Sequence, residues 1–158
     1  MSLDLAIRQM TNGGSLFDVG IGEQDLLFTE GMETAVAVLL FTDARAASSE
    51  VMEPSLRRGW VGNIFAKREL GGKLWLAEQV RNVQEVRNKI KVWAENSLQP
   101  LLDDGIVADI EVTVQERDAR SINLIIEILA KDNQREKFKY RLSTNFENLV
   151  TGEVANAN

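Results

Sequence analysis

The chain has 158 residues, of which 44% are apolar and 27% are charged, and its formal net charge at pH 7 is −6. It contains no cysteine and no histidine, which excludes thiol nucleophiles, disulfides, Ser-His-Asp triads and the commonest zinc and iron ligands. We therefore expect no cofactor, and one globular domain that is large enough to bury a core without disulfide or metal support.

Signals for export and membrane insertion are also missing from the sequence. The opening residues, MSLDLAIRQM, do not join a basic region to an apolar run, and no stretch approaches the ~18 apolar residues of a membrane span. We expect a product that stays in the cytoplasm and has no membrane partner.

Charge is distributed unevenly along the chain. Residues 1–56 sum to −7, residues 57–73 to +4 and residues 74–158 to −3. A basic segment beside tryptophans could contact nucleic acid, but phosphate backbones repel an acidic chain. The charge balance therefore favours a protein partner over nucleic acid.

The first predicted elements are an arm and a helix. Residues 1–30 are punctuated by glycine and have only short apolar runs, which indicates an extended N-terminal arm of loops with room for a short strand. From Gly31 to about Ala47 the chain is rich in helix formers and offers a broad apolar surface. We predict a core helix there, which Pro54 ends by Glu53 at the latest.

A second, longer helix is predicted from apolar side chains that recur at spacings of three, four and seven. The stripe consists of Val83, Val86, Ile90, Trp93, Ala94, Leu98, Leu101 and Leu102. Asn82 is placed to cap its start and Gly105 to end it. Pro100 removes one backbone donor, so it is expected to kink the helix or to separate a final turn near Asn96.

After Gly105 the apolar period changes from helical to alternating, which indicates strands. The first two strands alternate through Ile110, Val112 and Val114 and then through Ile122, Leu124, Ile126 and Ile128, with a polar turn at residues 117–120 between them. A third run, REKFKYRL, places Phe138, Tyr140 and Leu142 on one face and Arg135, Lys137, Lys139 and Arg141 on the other.

These elements predict an α+β fold in which two main helices pack on one face of a three-stranded antiparallel meander, preceded by the extended N-terminal arm. The expected organisation is the arm at 1–30, a single α+β domain at 31–143 and a polar C-terminal tail at 144–158.

The connector between the two helices, RRGWVGNIFAKRELGGKLWL at 57–76, has an unusual composition. It holds two of the three tryptophans, four of the eleven glycines and five cations. Close-packing glycines and large rings suit a connector that covers the open side of the core. Arginine and tryptophan also dominate interface hot spots. The connector is therefore either a packed link or a contact surface.

The candidate interface residues of this connector are Arg57, Arg58, Trp60, Lys67 and Arg68. Their charges either meet acidic groups of a partner or pair internally, as Arg57 or Arg58 would with Asp43 or Glu33. Trp75 is expected to pack in the core. Arg45 is expected to pair internally and to fix the end of the first helix.

Four motifs in order carry a resemblance over roughly residues 30–130: GMETAVAVLLFTDARA, RRGWVGN, GGKLWL and a long helix that ends LLDDGIV. Together they resemble the Mu-like contractile-phage baseplate protein family, which is distantly similar to the T4-type baseplate wedge protein. Departures are Val61 in place of a second tryptophan, Gly72 and Lys73 in place of a glycine-serine pair, and Met32 at a leucine site.

The resemblance implies a nonenzymatic structural component of a contractile-tail baseplate wedge, in a phage or prophage, that links the baseplate core to the sheath. The implied partners are other wedge proteins and the tail sheath, in a sixfold arrangement, with a monomer in isolation left open. The implied location is the virion tail baseplate, after assembly in the host cytoplasm.

In wedge-like domains, arms of the sheath are thought to add strands to a sheet. The predicted strand from Phe138 to Leu142 is a plausible edge for such an addition, because unpaired edge amides recruit strands from other chains. The cations beside it, Lys137, Lys139 and Arg141, either steer an acidic partner or discourage unwanted pairing.

The alternative function is a lysozyme-like peptidoglycan hydrolase of the tail. Such an enzyme needs two carboxylates ~5–10 Å apart, one of them with a raised pKa. Glu33 and Asp43 are candidates among the 24 acidic residues, but ten positions along one helix would separate them by ~15 Å. No other pair stands out, so we do not expect an enzyme. Asp103-Asp104-Gly105 is only a fragment of a calcium loop.

Overall fold

The computed structural model describes residues 4–5, 7–9, 17–19, 28–29, 31–79, 83–118 and 121–143. This part of the chain has two α-helices, α1 (Glu33–Phe41) and α2 (Val83–Asp103). Its strands are β1 (Asp4–Leu5), β2 (Ile7–Gln9), β3 (Phe17–Val19), β4 (Phe28–Thr29), β5 (Val107–Asp118), β6 (Ser121–Ala130) and β7 (Arg135–Ser143). Short 3-10 turns follow α1 at Ser48–Glu50, Pro54–Leu56, Val61–Ile64 and Leu74–Gln79.

Strands β5, β6 and β7 form an antiparallel meander with β6 in the centre. The register places Val112 opposite Ile126 and Ile126 opposite Phe138, so apolar side chains of all three strands share one row. Alternate residues of the central strand are at most 1% exposed, namely Ile122, Leu124, Ile126 and Ile128. The predicted alternation is confirmed.

Both helices pack on the apolar face of this meander, which confirms the predicted α+β class. Val36 and Leu40 of α1 and Ile90 and Leu98 of α2 are each at most 1% exposed. The Phe41 ring also meets the ring of Tyr140 on β7 edge to face, with centroids 5.1 Å apart. Side chains from both helices and all three strands therefore form one core.

Helix α1 is shorter than the sequence predicts, because it ends at Phe41 and not near Ala47. Thr42 already has extended backbone angles, with φ −75° and ψ 128°. The Ala44 N–H donates to the Gly72 carbonyl at 2.9 Å, and the Ala46 N–H donates to the Arg57 carbonyl at 3.0 Å. Distant backbone partners thus replace helical ones, which local helix propensity does not anticipate.

Helix α2 is continuous through Pro100, so of the two predicted effects of this proline the separated final turn near Asn96 is wrong, and the kink stays a prediction. The proline deprives the Asn96 carbonyl of its helical donor, but Asn96 is exposed and that carbonyl can bond water. The helix stops where predicted: Gly105 has φ +62°, and its N–H donates to the Leu102 carbonyl at 2.9 Å. The predicted cap Asn82 lies outside the described residues.

The N-terminal arm contains more strand than the sequence indicates. Among its described residues, β1 pairs with β4 and β2 pairs with β3, both antiparallel. The β2–β3 ladder is nested inside the β1–β4 ladder, since Asp4 pairs with Thr29 and Ile7 with Val19. The limits of the arm and domain stay predictions. The C-terminal tail at 144–158 lies outside the described residues.

Tyr140 is the single tyrosine of the chain, and its side chain lies in the core with 1% exposure. Its hydroxyl has no hydrogen-bond partner among the described residues. Burial in the core, and secondarily the charge of Glu33, raise the pKa of Tyr140 above its ordinary value. The core therefore keeps this phenol neutral.

Ile90→Ala should lower the free energy of unfolding by about 2–5 kcal/mol, because Ile90 is fully buried and the truncation leaves a cavity. Val92→Ala on the same helix is the matched control. Val92 is 51% exposed, so its truncation should change stability by less than ~0.5 kcal/mol. Urea unfolding measures both, and equal losses would contradict the described orientation of α2.

Tyr140 should make the protein sensitive to alkali. With a raised folded pKa, stability is fully present below the unfolded pKa of ~10 and falls as pH rises further, because only the unfolded chain ionises there. Tyrosinate absorbance at about 295 nm should therefore appear together with unfolding.

The matched variant is Tyr140→Phe, which keeps the ring and removes a hydroxyl that has no described partner. It should cost little at pH 7 and should unfold at higher pH than the wild type. Titration of the tyrosine near pH ~10 in a protein that stays folded by circular dichroism would contradict the buried, neutral phenol.

Candidate interaction surfaces

The segment Thr42–Ala46 hydrogen-bonds to both ends of the connector. At the start of the connector, the Trp60 N–H donates to the Asp43 carbonyl at 2.8 Å, and the Arg57 carbonyl accepts the Ala46 N–H. At its end, the Gly72 N–H donates to the Thr42 carbonyl at 2.8 Å, next to the bond between Ala44 and Gly72. The connector thus leaves this segment, makes a loop and returns to it.

Gly71 permits the close approach on the second side. Its φ is +108°, in the left-handed region that favours glycine. A Cβ at this position would also lie 2.3 Å from the Thr42 carbonyl oxygen. Any larger residue would therefore push the returning connector away from the segment that it contacts.

Arg57 and Arg58 both contact residues of their own domain. The Arg57 Nε donates to the Ala46 carbonyl at 2.6 Å. The Arg58 guanidinium lies 4.9 Å from the centroid of the Trp75 ring and 3.6 Å from an Asp43 carboxylate oxygen. The interface role of both arginines stays a prediction, but the internal pairing with Asp43 that the sequence left open is present.

Trp75 is a core residue, as the sequence predicts. Its side chain is 6% exposed and packs in a small cluster with Ala46 and Leu76. The indole Nε1–H donates to the Ala44 carbonyl at 3.0 Å, which satisfies its buried donor. The Trp75 ring therefore contacts both the Thr42–Ala46 segment and the Arg58 guanidinium.

Two further cations of the connector pair with acidic groups outside it. Arg68 donates to both carboxylate oxygens of Asp104, just after α2, and hydrogen bonding from Arg68 lowers the pKa of Asp104. Lys73 donates to Glu50, and this hydrogen bond likewise lowers the Glu50 pKa. Lys67 is exposed and has no ion pair in the part of the chain that the structure describes.

Arg45 does not have the role that the sequence suggests. The helix ends at Phe41, four residues before it, and the Arg45 side chain is exposed. Its backbone N–H, and not its guanidinium, reaches a carboxylate, that of Glu69 at 2.9 Å. The guanidinium forms no ion pair within the described residues, so the predicted internal pairing of Arg45 is wrong.

An exposed apolar surface lies where the sequence led us to expect a cover for the core. Trp60 is 48% exposed, Val61 69%, Ile64 77% and Phe65 87%. These four residues belong to or flank the 3-10 turn Val61–Ile64, and we call them the apolar turn. Side chains three residues apart eclipse in a 3-10 helix, so Val61 and Ile64 lie side by side.

Only Trp60 of the apolar turn was identifiable as a candidate from composition. Val61, Ile64 and Phe65 were missed, because a short WVGNIF run has no periodicity that distinguishes an inward from an outward face. The available signal in the sequence was the polar residue Asn63. In the structure its side-chain amide donates to the Leu70 carbonyl and accepts the Leu70 N–H, both at 2.9 Å. That anchor directs Asn63 inward and its apolar neighbours outward.

The last strand presents a second surface. Lys137 pairs with Glu127 of β6 at 2.6 Å, whereas Lys139 and Arg141 are half-buried on the same polar face. The Arg141 Nε is buried and has no hydrogen-bond partner among the described residues. The predicted cationic row is therefore present, but one of its members is already paired.

The outer edge of β7 has no strand beside it in the described chain. The Ala130 N–H donates to the Gln134 carbonyl at 2.9 Å, which makes these two residues a hydrogen-bonded pair. Such pairs alternate along an antiparallel ladder. The register therefore directs the backbone groups of Lys137, Lys139 and Arg141 outward, away from β6.

Among the described residues, no three or more of His, Cys, Asp and Glu gather as they would around a metal ion, and no helix is long and apolar enough to cross a membrane. The carboxyls of Glu50 and Asp104 have lowered pKa values, the direction opposite to that of a general acid.

The fold and these surfaces define a small α+β protein that exposes an apolar turn and an edge strand on one core. A family model described as "Phage protein GP46" matches residues 32–135, from the residue before α1 to the first residue of β7. The chain belongs to this family.

Two relatives cover almost the whole chain. "Baseplate protein gp46" of Escherichia phage Mu is 28% identical over 144 residues, which is 90% of this chain and 97% of that protein. "Mu-like prophage FluMu protein gp46" of Haemophilus influenzae (strain ATCC 51907 / DSM 11121 / KW20 / Rd) is 26% identical over 139 residues, or 87% and 95%. The resemblance to Mu-like baseplate proteins is confirmed.

Replacement of Arg58 distinguishes internal pairing from a pure surface role. Arg58→Ala removes a cation over the Trp75 ring and a half-exposed ion pair, so it should lower the free energy of unfolding by about 1–2 kcal/mol. Lys67→Ala, the control, should change it by less than ~0.5 kcal/mol. In urea unfolding, a loss of several kcal/mol for Arg58→Ala would favour internal pairing over an interface role.

Proposed function

We propose that this chain is a nonenzymatic structural component of a contractile-tail baseplate wedge, which links the baseplate core to the sheath. Family membership and the two baseplate and prophage relatives support a structural role in a phage baseplate. The observation that carries the sheath link is the outer edge of β7, whose backbone groups face away from the sheet.

Strand addition at this edge is the proposed mechanism. An extended segment of the sheath would form main-chain hydrogen bonds with Lys137, Lys139 and Arg141, which gives affinity, while alternate side chains give specificity. The opposite edge strand, β5, is in contact with α2, and Arg87 of α2 pairs with Glu116 of β5 at 3.1 Å. The β7 edge is therefore the more open of the two.

Charge supports an acidic partner at β7. Lys137 is paired with Glu127, so Arg135, Lys139 and Arg141 supply the positive charge that remains on this face. These cations would steer an acidic segment to the edge. Lysine on an edge strand also discourages unwanted pairing, so the cations favour a charged partner over self-association.

The remaining parts of the proposal follow from the baseplate role. The direct partners are other wedge proteins and the tail sheath, in the sixfold arrangement of a baseplate, with no nucleic acid or membrane partner. The protein would enter the tail during assembly in the host cytoplasm and remain in the virion tail. The sequence alternative, a peptidoglycan hydrolase, needs a carboxyl of raised pKa, whereas the pKa values of Glu50 and Asp104 are lowered.

The wedge assignment is tested first by mass spectrometry of purified contractile tails from a strain that produces them. The chain should occur at a low, fixed ratio to the sheath and tube proteins, in keeping with a sixfold baseplate. Its absence from assembled tails would refute the structural role, and purified protein would then be assayed on peptidoglycan.

The sheath link is tested with two substitutions at one residue. Lys139→Pro removes the cation and the outward N–H, whereas Lys139→Ala removes the cation alone. In a strain that lacks the wild-type gene, Lys139→Pro should reduce sheathed tails in electron micrographs far more than Lys139→Ala does. The purified proline variant should keep its circular dichroism spectrum, because the ladder with β6 uses the neighbouring residues. Equal tail counts for both variants would rule out strand addition at this edge.

A further inference from the structure

We propose that the apolar turn of Trp60, Val61, Ile64 and Phe65 is a docking site for an apolar segment flanked by acidic side chains, on another protein of the same baseplate. The proposal deepens the proposed baseplate role by naming a second surface and the chemistry of its partner. It does not depend on the β7 edge, which lies on a different element.

Exposure of the apolar turn is the first observation. Its four residues range from 48% to 87% exposed and follow one another within six positions. Scattered exposed apolar residues are ordinary on a folded protein, but a cluster of large ones marks an interaction surface. Only burial against another molecule removes this apolar surface from water.

The apolar turn is also held in a fixed conformation. The Asn63 N–H donates to the Trp60 carbonyl and the Phe65 N–H to the Gly62 carbonyl, at 3.1 and 3.0 Å. The Trp60 ring lies so close to Gly62 that a Cβ there would meet ring carbons at 2.3 Å. The two hydrogen bonds between the Asn63 side chain and the Leu70 backbone fasten the turn to a later part of the connector. A surface fixed in this way loses little conformational entropy on binding.

Cations border the apolar turn and indicate the charge of the occupant. Arg58 and Lys67 stand two residues before and after it, and the Arg45 Cβ would lie 3.1 Å from a Cβ at Gly59. Two acids lie nearby: Asp43 pairs with Arg58, and Glu69 accepts the backbone N–H of Arg45. The side chains of Arg45 and Lys67 have no ion pair within the described residues. Carboxylates beside an apolar segment would complement this border.

The border disfavours other occupants. A twofold dimer through this surface would bring Arg45 and Lys67 of two copies together, and like charges across an interface are costly. Nucleic acid would gain from the same cations, but these two cations on a chain of net charge −6 are few for a polyanion that carries a phosphate at every nucleotide. An acidic, apolar protein segment satisfies both parts of the surface.

A peptide array tests the proposal with the purified full-length chain as the probe. Peptides of roughly 15 residues would tile the other baseplate and sheath proteins of the same tail. The peptides that bind should combine large apolar residues with adjacent aspartate or glutamate. Their affinity, measured by fluorescence anisotropy, should fall as NaCl rises from about 0.05 to 0.5 M.

Paired variants locate the binding site. Ile64→Ser with Phe65→Ser should weaken peptide binding about tenfold or more, and Lys67→Glu should weaken it about threefold. Val92→Ser is the matched apolar control, since Val92 is 51% exposed on α2. Lys131→Glu, in the turn between β6 and β7, is the matched charge control. Both controls should bind like the wild type, and thermal melts confirm that each variant is folded.

Three outcomes would overturn the proposal. The first is an array without binding peptides, or with peptides that lack carboxylates. The second is binding that the Ile64→Ser and Phe65→Ser pair leaves unchanged. The third is a wild-type dimer that this pair converts to monomer in analytical ultracentrifugation, since a second copy would then be the occupant.

Lys139→Pro should bind the peptides normally, so failure of the sheath link and failure of this site are distinguishable.

Discussion

The structure depends on the backbone hydrogen bonds made by the extended segment Thr42–Ala46. This segment donates hydrogen bonds to Arg57 and Gly72 and accepts them from Trp60 and Gly72. Because its backbone bonds these distant partners, α1 ends at Phe41, and both ends of the connector are held at the segment. Trp75 fills the space beneath it and donates its indole hydrogen to Ala44. One segment thereby sets the length of a helix, the path of the connector and the position of a buried ring.

The same arrangement decides which connector residues meet solvent. Arg57 donates to the Ala46 carbonyl and Arg58 pairs with Asp43, both in the Thr42–Ala46 segment. Arg68 pairs with Asp104, just after α2. The turn at Val61–Ile64 is held by Asn63 at the far side of the loop, where no core remains for its apolar side chains to enter. Arg57, Arg58 and Arg68 therefore make internal contacts while the apolar turn faces outward, the reverse of the usual partition.

The two surfaces differ in how they would recognise a partner. At the β7 edge the backbone would supply most of the affinity, so many extended sequences could bind there. At the apolar turn the side chains would supply it, so a partner would have to match both shape and charge. The two proposed sites lie on different elements, β7 and the connector, so the protein would use two modes of recognition.

Sequence by itself determined the elements whose pattern is local. The alternation in β5, β6 and β7, the stripe of α2 and its stop at Gly105 are each fixed by periodicity or by one residue's backbone preference, and four ordered motifs were enough to indicate the family. Tertiary structure alone decided the end of α1, the pairing of Arg58, the exposed guanidinium of Arg45 and the outward side chains of the apolar turn. The physical reason is that each of these features depends on a partner that is distant in the sequence and comes near only in the folded chain. Gly72 bonds Ala44, Asp43 pairs with Arg58, and Leu70 bonds Asn63. Local propensity contains no information about such partners.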